Sequence, residues 1–233
     1  RPRDIRTVRW IVGAYRIRKL STHQPQTHPL SALFDPTSIA VFGATARRGA
    51  VGYYVLRNLL QHGFVGRIVA VNPKHKSVLG LPCHSCLTGA TERPVDLAIV
   101  TSPARSVPGI LRDCAQAGTR HIIVISAGFA EGNGAGGPLR DEILALAVQH
   151  NLRFLGPNCL GLIRPKRSLN ATFLNIMPPQ GGLALVSQSG AVCSAIADMA
   201  KAQGLGFSMI LSLGNSLNVD LGDAIGYLAQ DTE

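Results

Sequence analysis

The residue types best suited to chemistry in this chain lie between Ser38 and Lys76. Gly43, Gly49 and Gly52 follow the apolar run Ser38-Ile-Ala-Val-Phe42, and Arg47 and Arg48 stand among them. Gly43 can turn the chain sharply where a strand ends, while Gly49 and Gly52 let the backbone approach a ligand and a helix pack closely on a sheet. Val55, Leu56, Leu59 and Leu60 then recur at helical spacing before His62, and Arg67-Ile-Val-Ala-Val71 is a second apolar run. That pattern reads as strand, loop, helix, strand. The helix would aim unpaired N–H groups and the positive end of its dipole at the loop, a site suited to a pyrophosphate, with two arginines adding full charges. The glycine spacing (Gly, five residues, Gly, two residues, Gly) departs from the dinucleotide pattern G-x-G-x-x-G, so the loop alone does not name its ligand.

The end of the second run says more. A nicotinamide-dependent enzyme places Asp or Glu about 20 residues on, to bind the ribose 2′-hydroxyl. Here the chain reads Asn72-Pro73-Lys74-His75-Lys76. Cations where a carboxylate would stand favour an adenosine ribose that carries a phosphate, as in NADP or coenzyme A, over plain NAD. The charge pattern leaves those two open.

The elements that must hold these residues form an alternating series. Asp96-Leu-Ala-Ile-Val100 is a strand ending at Thr101-Ser102-Pro103. A helix follows from Val107 to Ala117 with Gly118 as its stop, and then His121-Ile-Ile-Val-Ile125 leads to Ser126-Ala127-Gly128. Glu131 to Gly137 is a glycine-rich loop of a kind that can move over a site, Pro138 opens a helix to His150, and Arg153-Phe-Leu155 is a short strand. Continuous apolar strands alternating with helices mean a parallel sheet covered on both faces, whose ligands sit at the carboxyl ends of the strands. The small-residue tips all fall at that edge.

Gly156-Pro157-Asn158-Cys159-Leu160-Gly161 reads as a tight turn that would put Asn158 and Cys159 on the ligand edge; no neighbouring cation lowers the thiol pKa, so a nucleophilic Cys159 has no support. After Arg164-Pro165-Lys166-Arg167 come a strand at Leu183–Val186, a turn at Ser187-Gln188-Ser189-Gly190 and a helix from Ala191 to Gln203. The serines can cap that helix, or its tip can hold a second phosphate. They do not form the nucleophile elbow G-x-S-x-G, which argues against a serine hydrolase. Phe207–Leu213 is one more strand and Asp220 to Gln230 one more helix. Two strands make a poor sheet, so the natural domain is expected to continue past residue 233.

Composition bounds the alternatives. The 233 residues are 46% hydrophobic, ample for a buried core, and no apolar run approaches the 18 or more residues of a membrane span. Of the net charge of +10, residues 1 to 30 carry +6, from seven basic residues against Asp4. The basicity is thus mostly that of an extension expected to be poorly ordered, and with one Trp and scattered aromatics a nucleic-acid partner has little support. Five cysteines, an odd number, suggest no disulfide framework and point to a reducing, cytoplasmic setting. Cys83-His84-Ser85-Cys86 is a single C-x-x-C without a second pair, so no metal site is expected.

Six stretches taken together resemble the N-terminal part of the NDP-forming acyl-CoA synthetases, the superfamily of the succinyl-CoA synthetase α subunit. They are Pro36-Thr-Ser-Ile-Ala-Val-Phe-Gly-Ala-Thr45, Val71-Asn-Pro-Lys74, Ile125-Ser-Ala-Gly-Phe129, Gly156-Pro-Asn-Cys-Leu-Gly161, Val186-Ser-Gln-Ser-Gly190 and Ser212-Leu-Gly-Asn215. The resemblance implies an α/β protein: a Rossmann-like CoA-binding domain with a parallel sheet over 31–163, then the start of a flavodoxin-like domain over 164–233. It puts Gly43, Ala44, Thr45, Arg48, Gly49 and Gly52 at the CoA phosphates and Pro73 and Lys74 near the adenosine end. Thr101, Ser102 and Pro103 with Ser126, Ala127 and Gly128 would line the pantetheine path. Asn158 and Cys159 would flank the CoA thiol, and Ser187, Gln188, Ser189 and Gly190 would cap the helix that stabilises the family's phosphohistidine. None of His23, His28, His62, His75, His84, His121 or His150 matches the context of that histidine. The resemblance thus implies coenzyme A or acyl-CoA as ligand, no catalytic residue in this stretch, ATP, ADP and Mg only through an ATP-grasp domain or subunit elsewhere, and an oligomer in the full-length protein. The same motifs suit the CoA-sensing region of a lysine acetyltransferase with a fused acetyltransferase domain, and Lys74 also permits an NADP-dependent oxidoreductase, which the later motifs disfavour.

Overall fold

The computed structural model describes residues 28–129 and 136–233. Most of the basic extension, and residues 131–135 of the glycine-rich loop, lie outside the described residues. The last residues of that extension belong to the fold: Leu30 is buried, and His121 Nε2 lies 2.9 Å from the Pro29 carbonyl oxygen.

The first sheet grows from the expected series. One turn of helix, α1 (Ser31–Phe34), leads to β1 (Ser38–Phe42), α2 (Val51–Gln61), β2 (Arg67–Val71), β3 (Ser77–Val78), β4 (Leu81–His84), β5 (Leu97–Val100), α3 (Val107–Gln116), β6 (His121–Val124), α4 (Gly137–His150) and β7 (Arg153–Leu155). The seven strands lie in the order β3-β4-β2-β1-β5-β6-β7, with only the β3–β4 pair antiparallel. Every residue of β1 and β5 is buried, as strands covered by helices on both faces require. Because β1 has β2 on one side and β5 on the other, the connections leave its neighbours in opposite directions. The loops after β1 and β5 therefore part and open a crevice at the carboxyl edge.

The second sheet is larger than the two strands expected. β8 (Gly161–Arg164) and β9 (Leu169–Thr172) form an antiparallel hairpin that joins β10 (Gln180–Ser187) and β11 (Phe207–Ser212) in the order β10-β11-β8-β9. The helices α5 (Gly190–Gln203) and α6 (Leu221–Leu228) complete it. The boundary drawn after residue 163 falls inside β8. This hairpin escaped the sequence reading because Arg164, Asn170 and Thr172 interrupt its apolar pattern although all three are buried. Most of their polar atoms are satisfied internally, the Arg164 Nε being the exception. Arg164 donates to the Tyr227 hydroxyl, to Asp231 and to Glu233, each at 2.8 Å, and Asn170 Oδ1 accepts from the Thr172 hydroxyl at 2.7 Å.

The two sheets are knitted together. Asn58 of α2 donates to the carbonyls of Thr172 (2.8 Å) and Leu174 (2.6 Å), and Asn218 accepts from the Phe154 amide at 2.9 Å. A single apolar cluster runs from Ile39 and Leu97 of the first sheet to Met209 and Leu211 of the second.

Candidate functional site

The tip of α2 is shaped by three glycines with different reasons to be glycine. The Phe42 carbonyl accepts from both the amide (3.0 Å) and the hydroxyl (2.7 Å) of Thr101, which draws the β5 loop against Gly43. Gly43 has φ +84°, and a Cβ there would sit 2.6 Å from Thr101 Oγ1. A Cβ on Gly52 would strike the Gly43 carbonyl oxygen. Gly49 has φ +89° and open space around it. Ala50, the residue before the helix, is extended and offers no capping side chain, so the amides of Val51 and Gly52 have no partner among the described residues. The result is an open, uncapped helix N-terminus against a bare backbone loop, an anion cradle.

In front of it lies a cleft of about 1450 Å³. Arg47, Lys74 and Arg105 line it, and none of them is in an ion pair among the described residues; Arg112 also lines it and pairs with Glu142 at 2.6 Å. Asp113 is the one acid in the lining, and its carboxylate is engaged by the Leu87 amide (2.7 Å), the Thr88 amide (2.9 Å) and the Thr88 hydroxyl (2.5 Å). Three unpaired cations against one hydrogen-bonded carboxylate leave the charge facing the cleft net positive. Arg105 and Arg112 were missed by the sequence reading. Their signal was position alone, since Arg105 lies in the turn that follows β5 and Arg112 in the helix α3 that this turn opens.

Gly43, Thr45, Gly49, Gly52, Pro73, Lys74, Thr101, Ser102, Pro103, Ser126 and Ala127 are brought together as walls of this cleft. Three expected residues are not among them. Ala44 is fully buried beneath the loop, Arg48 lies outside the walls while its neighbour Arg47 lines them, and Gly128 also falls outside. A second cavity of about 630 Å³ is lined by Asn158, Cys159, Gln188, Ser189 and Gly190, and shares Val51, Thr101, Ser126 and Ala127 with the first. The shared residues make the two spaces neighbours along one path. Ser187 does not line it; its hydroxyl accepts from the Ser189 amide at 3.1 Å, and Ser189 caps α5 by accepting from the Val192 amide at 3.3 Å.

Cys159 is buried and its thiol donates to the Val124 carbonyl at 3.4 Å; burial pushes its pKa up to about 12, so it remains a thiol at neutral pH. Of the C-x-x-C residues, Cys83 is half-buried at the end of β2's neighbour β4 and Cys86 is exposed on the cleft wall. Among the described residues no three His, Cys, Asp or Glu side chains gather as a metal site would need. No helix among them is long and apolar enough to cross a membrane.

Comparison with known proteins gives the family. Residues 37–165 match the family model for the CoA binding domain, and residues 180–233 match the model for the succinyl-CoA ligase like flavodoxin domain. An ADP-forming acetate–CoA ligase I of Archaeoglobus fulgidus is 40% identical over 202 residues, covering 87% of this chain and 29% of the ligase. The α subunit of ADP-forming acetate–CoA ligase I of Pyrococcus furiosus is 35% identical over 217 residues, covering 87% of this chain and 44% of the subunit. Among solved structures, the dinucleotide forming acetyl-coenzyme A synthetase 1 of Ca. Korarchaeum cryptofilum, in complex with phosphate and ADP, superposes with a TM-score of 0.83 at 34% identity, covering 88% of this chain and 44% of that one. The chain spans less than half the length of each of these three proteins. By its motifs, its fold and these matches, the chain belongs to the CoA binding domain family, with a succinyl-CoA ligase like flavodoxin domain following in the same polypeptide.

Proposed function

We propose that this chain is the CoA-holding part of an ADP-forming acyl-CoA synthetase. The single observation that carries the reading is the uncapped α2 tip, closed behind by Gly43 and Gly52 and fronted by the unpaired cations Arg47, Lys74 and Arg105. The pyrophosphate of CoA lies on the amides of Val51 and Gly52, the ribose phosphate faces Lys74, and pantetheine runs past Thr101, Ser102, Ser126 and Ala127 toward the cavity at the α5 tip. In this reading residues 31–163 hold CoA and 164–233 begin the flavodoxin-like unit, with β8 straddling the junction.

The chain's own work is binding and orientation. Helix-tip amides and cations fix the anionic end, so that the flexible pantetheine delivers its thiol to one place. Cys159 does not compete as a nucleophile, because burial keeps it protonated. Formation of the acyl phosphate through a phosphohistidine, and the nucleotide chemistry of an ATP-grasp subunit or domain, are assigned to other parts of the enzyme. That the similar proteins are ligases supports this reading over an acetyltransferase.

Calorimetric titration with CoA, dephospho-CoA and NADP tests it. CoA is expected to bind more tightly than dephospho-CoA by about tenfold or more, the scale of one charge-assisted contact. Tighter binding of NADP than of CoA would overturn the reading.

A further inference from the structure

Asn72 occupies the end of β2, where a dinucleotide-binding protein carries its ribose-reading carboxylate. Its polar groups are all turned inward. Nδ2 donates to the Ala44 carbonyl at 2.9 Å, and Oδ1 accepts from the Lys74 amide at 3.0 Å. Its amide donates to the His84 carbonyl at 2.8 Å, while its own carbonyl accepts from the His75 amide at 3.2 Å and from the Cys83 thiol at 3.6 Å. Asn72 lines the cleft, yet its Nδ2 and Oδ1 are each already committed to a backbone partner, which fixes the side chain between the two loops.

One amide thus spans two loops. Ala44 belongs to the glycine loop at the α2 tip, and Lys74 to the loop that supplies the unpaired ammonium. A weaker tie runs parallel to it, with Thr45 Oγ1 3.5 Å from His75 Nε2. The Lys74 ammonium is in no ion pair or side-chain hydrogen bond among the described residues, so its direction depends on how the 72–75 backbone is held. An Asx turn of this kind fixes the amide two residues on and hence the stem from which the lysine reaches.

We propose that Asn72 is a positioning residue that sets the distance between the pyrophosphate cradle and Lys74, and thereby selects CoA over dephospho-CoA. This rests on the CoA reading given above. Only an amide serves both ties: Asp would accept from Lys74 but would face the Ala44 carbonyl without a proton to donate, and would set a negative charge beside the cradle.

A double-mutant cycle tests the coupling. The Kd values for CoA and dephospho-CoA are measured by calorimetry for the wild type, Asn72→Ala, Lys74→Ala and the double variant, and thermal unfolding of each is followed by circular dichroism. Asn72→Ala is expected to reduce the dephospho-CoA to CoA ratio of Kd values by about tenfold, the scale of one lost hydrogen bond to a charged group, and to change it no further in the Lys74→Ala background. A mere loss of stability would weaken both ligands together and leave the ratio standing. An unchanged ratio in Asn72→Ala, or equal effects in both backgrounds, would overturn the proposal. If Asn72→Ala does not fold, Asn72→Asp takes its place, with the same expected fall in the ratio and the same overturning result. Failure of the wild type to bind CoA would sink the underlying reading instead, and with it this inference.

Discussion

The N-termini of α2 and α5 both follow a parallel strand, both have a glycine among their first two residues, and both open on a cavity, but they are finished differently. At α2 the preceding residue is Ala50, extended and without a capping side chain. At α5 the preceding residue is Ser189, also extended, whose hydroxyl accepts from the Val192 amide. A capping serine satisfies one of the amides that would otherwise seek an anion. The α2 tip keeps its donors and stands beside unpaired cations in the larger cleft, whereas the α5 tip has given one donor to its own cap and has no Lys or Arg in the lining of its smaller cavity. The comparison separates a helix end that leaves its first amides open to the cleft from one that first stabilises its own helix.

The strongest way to break the comparison is to fill the α2 tip. In Gly52→Ala the new methyl meets backbone, the Gly43 carbonyl, and the Thr101 hydroxyl at 2.8 Å, so either the glycine loop or the helix must shift. CoA affinity is expected to fall by roughly 100-fold, the upper range of an overpacked contact, while the helix itself gains from losing a glycine. Calorimetry with CoA alongside thermal unfolding checks this: retained affinity would mean that the tip does not hold the ligand.

A gentler change makes α2 resemble α5. Ala50→Ser installs a hydroxyl on an already extended residue, placed to accept from the open Gly52 amide. Stability to urea should rise by about 0.5–1 kcal/mol, as a serine cap provides, and CoA affinity should fall by up to about tenfold because a donor is withdrawn. Stability and affinity moving in opposite directions is the signature; a rise in both would contradict the idea that the open amides serve the ligand.

How much of this was legible in the sequence follows from which interactions leave a local pattern. Glycines 43, 49 and 52 and the apolar run Ile39–Phe42 announce the first βαβ unit because turn geometry and burial act on neighbours. The hairpin of β8 and β9 left no such trace, since Arg164 is made tolerable by Tyr227, Asp231 and Glu233, more than sixty residues on. At the site the same rule holds. Lys74 stands in a motif, whereas Arg105 and Arg112 reach the cleft only because β5 lies beside β1. Which of Arg47 and Arg48 lines the cleft could not be settled from sequence, as adjacent residues of a loop point apart and only the fold decides.

The mildest test acts on the other helix. Ser189→Ala removes the hydroxyl that accepts from Val192 and leaves the Gly190, Ala191 and Val192 amides of α5 without a side-chain partner among the described residues. Stability is expected to drop by about 1 kcal/mol, the usual cost of losing a serine cap, read as a lower urea midpoint at unchanged slope. The same change frees an amide toward the cavity that Ser189 and Gly190 line. Inorganic phosphate added to the variant should then recover more stability than it does in the wild type, because an anion can take the place of the lost cap at a helix N-terminus. A phosphate response equal in the two proteins would mean that the α5 tip is a structural terminus only, and the contrast with α2 would then be complete rather than one of degree.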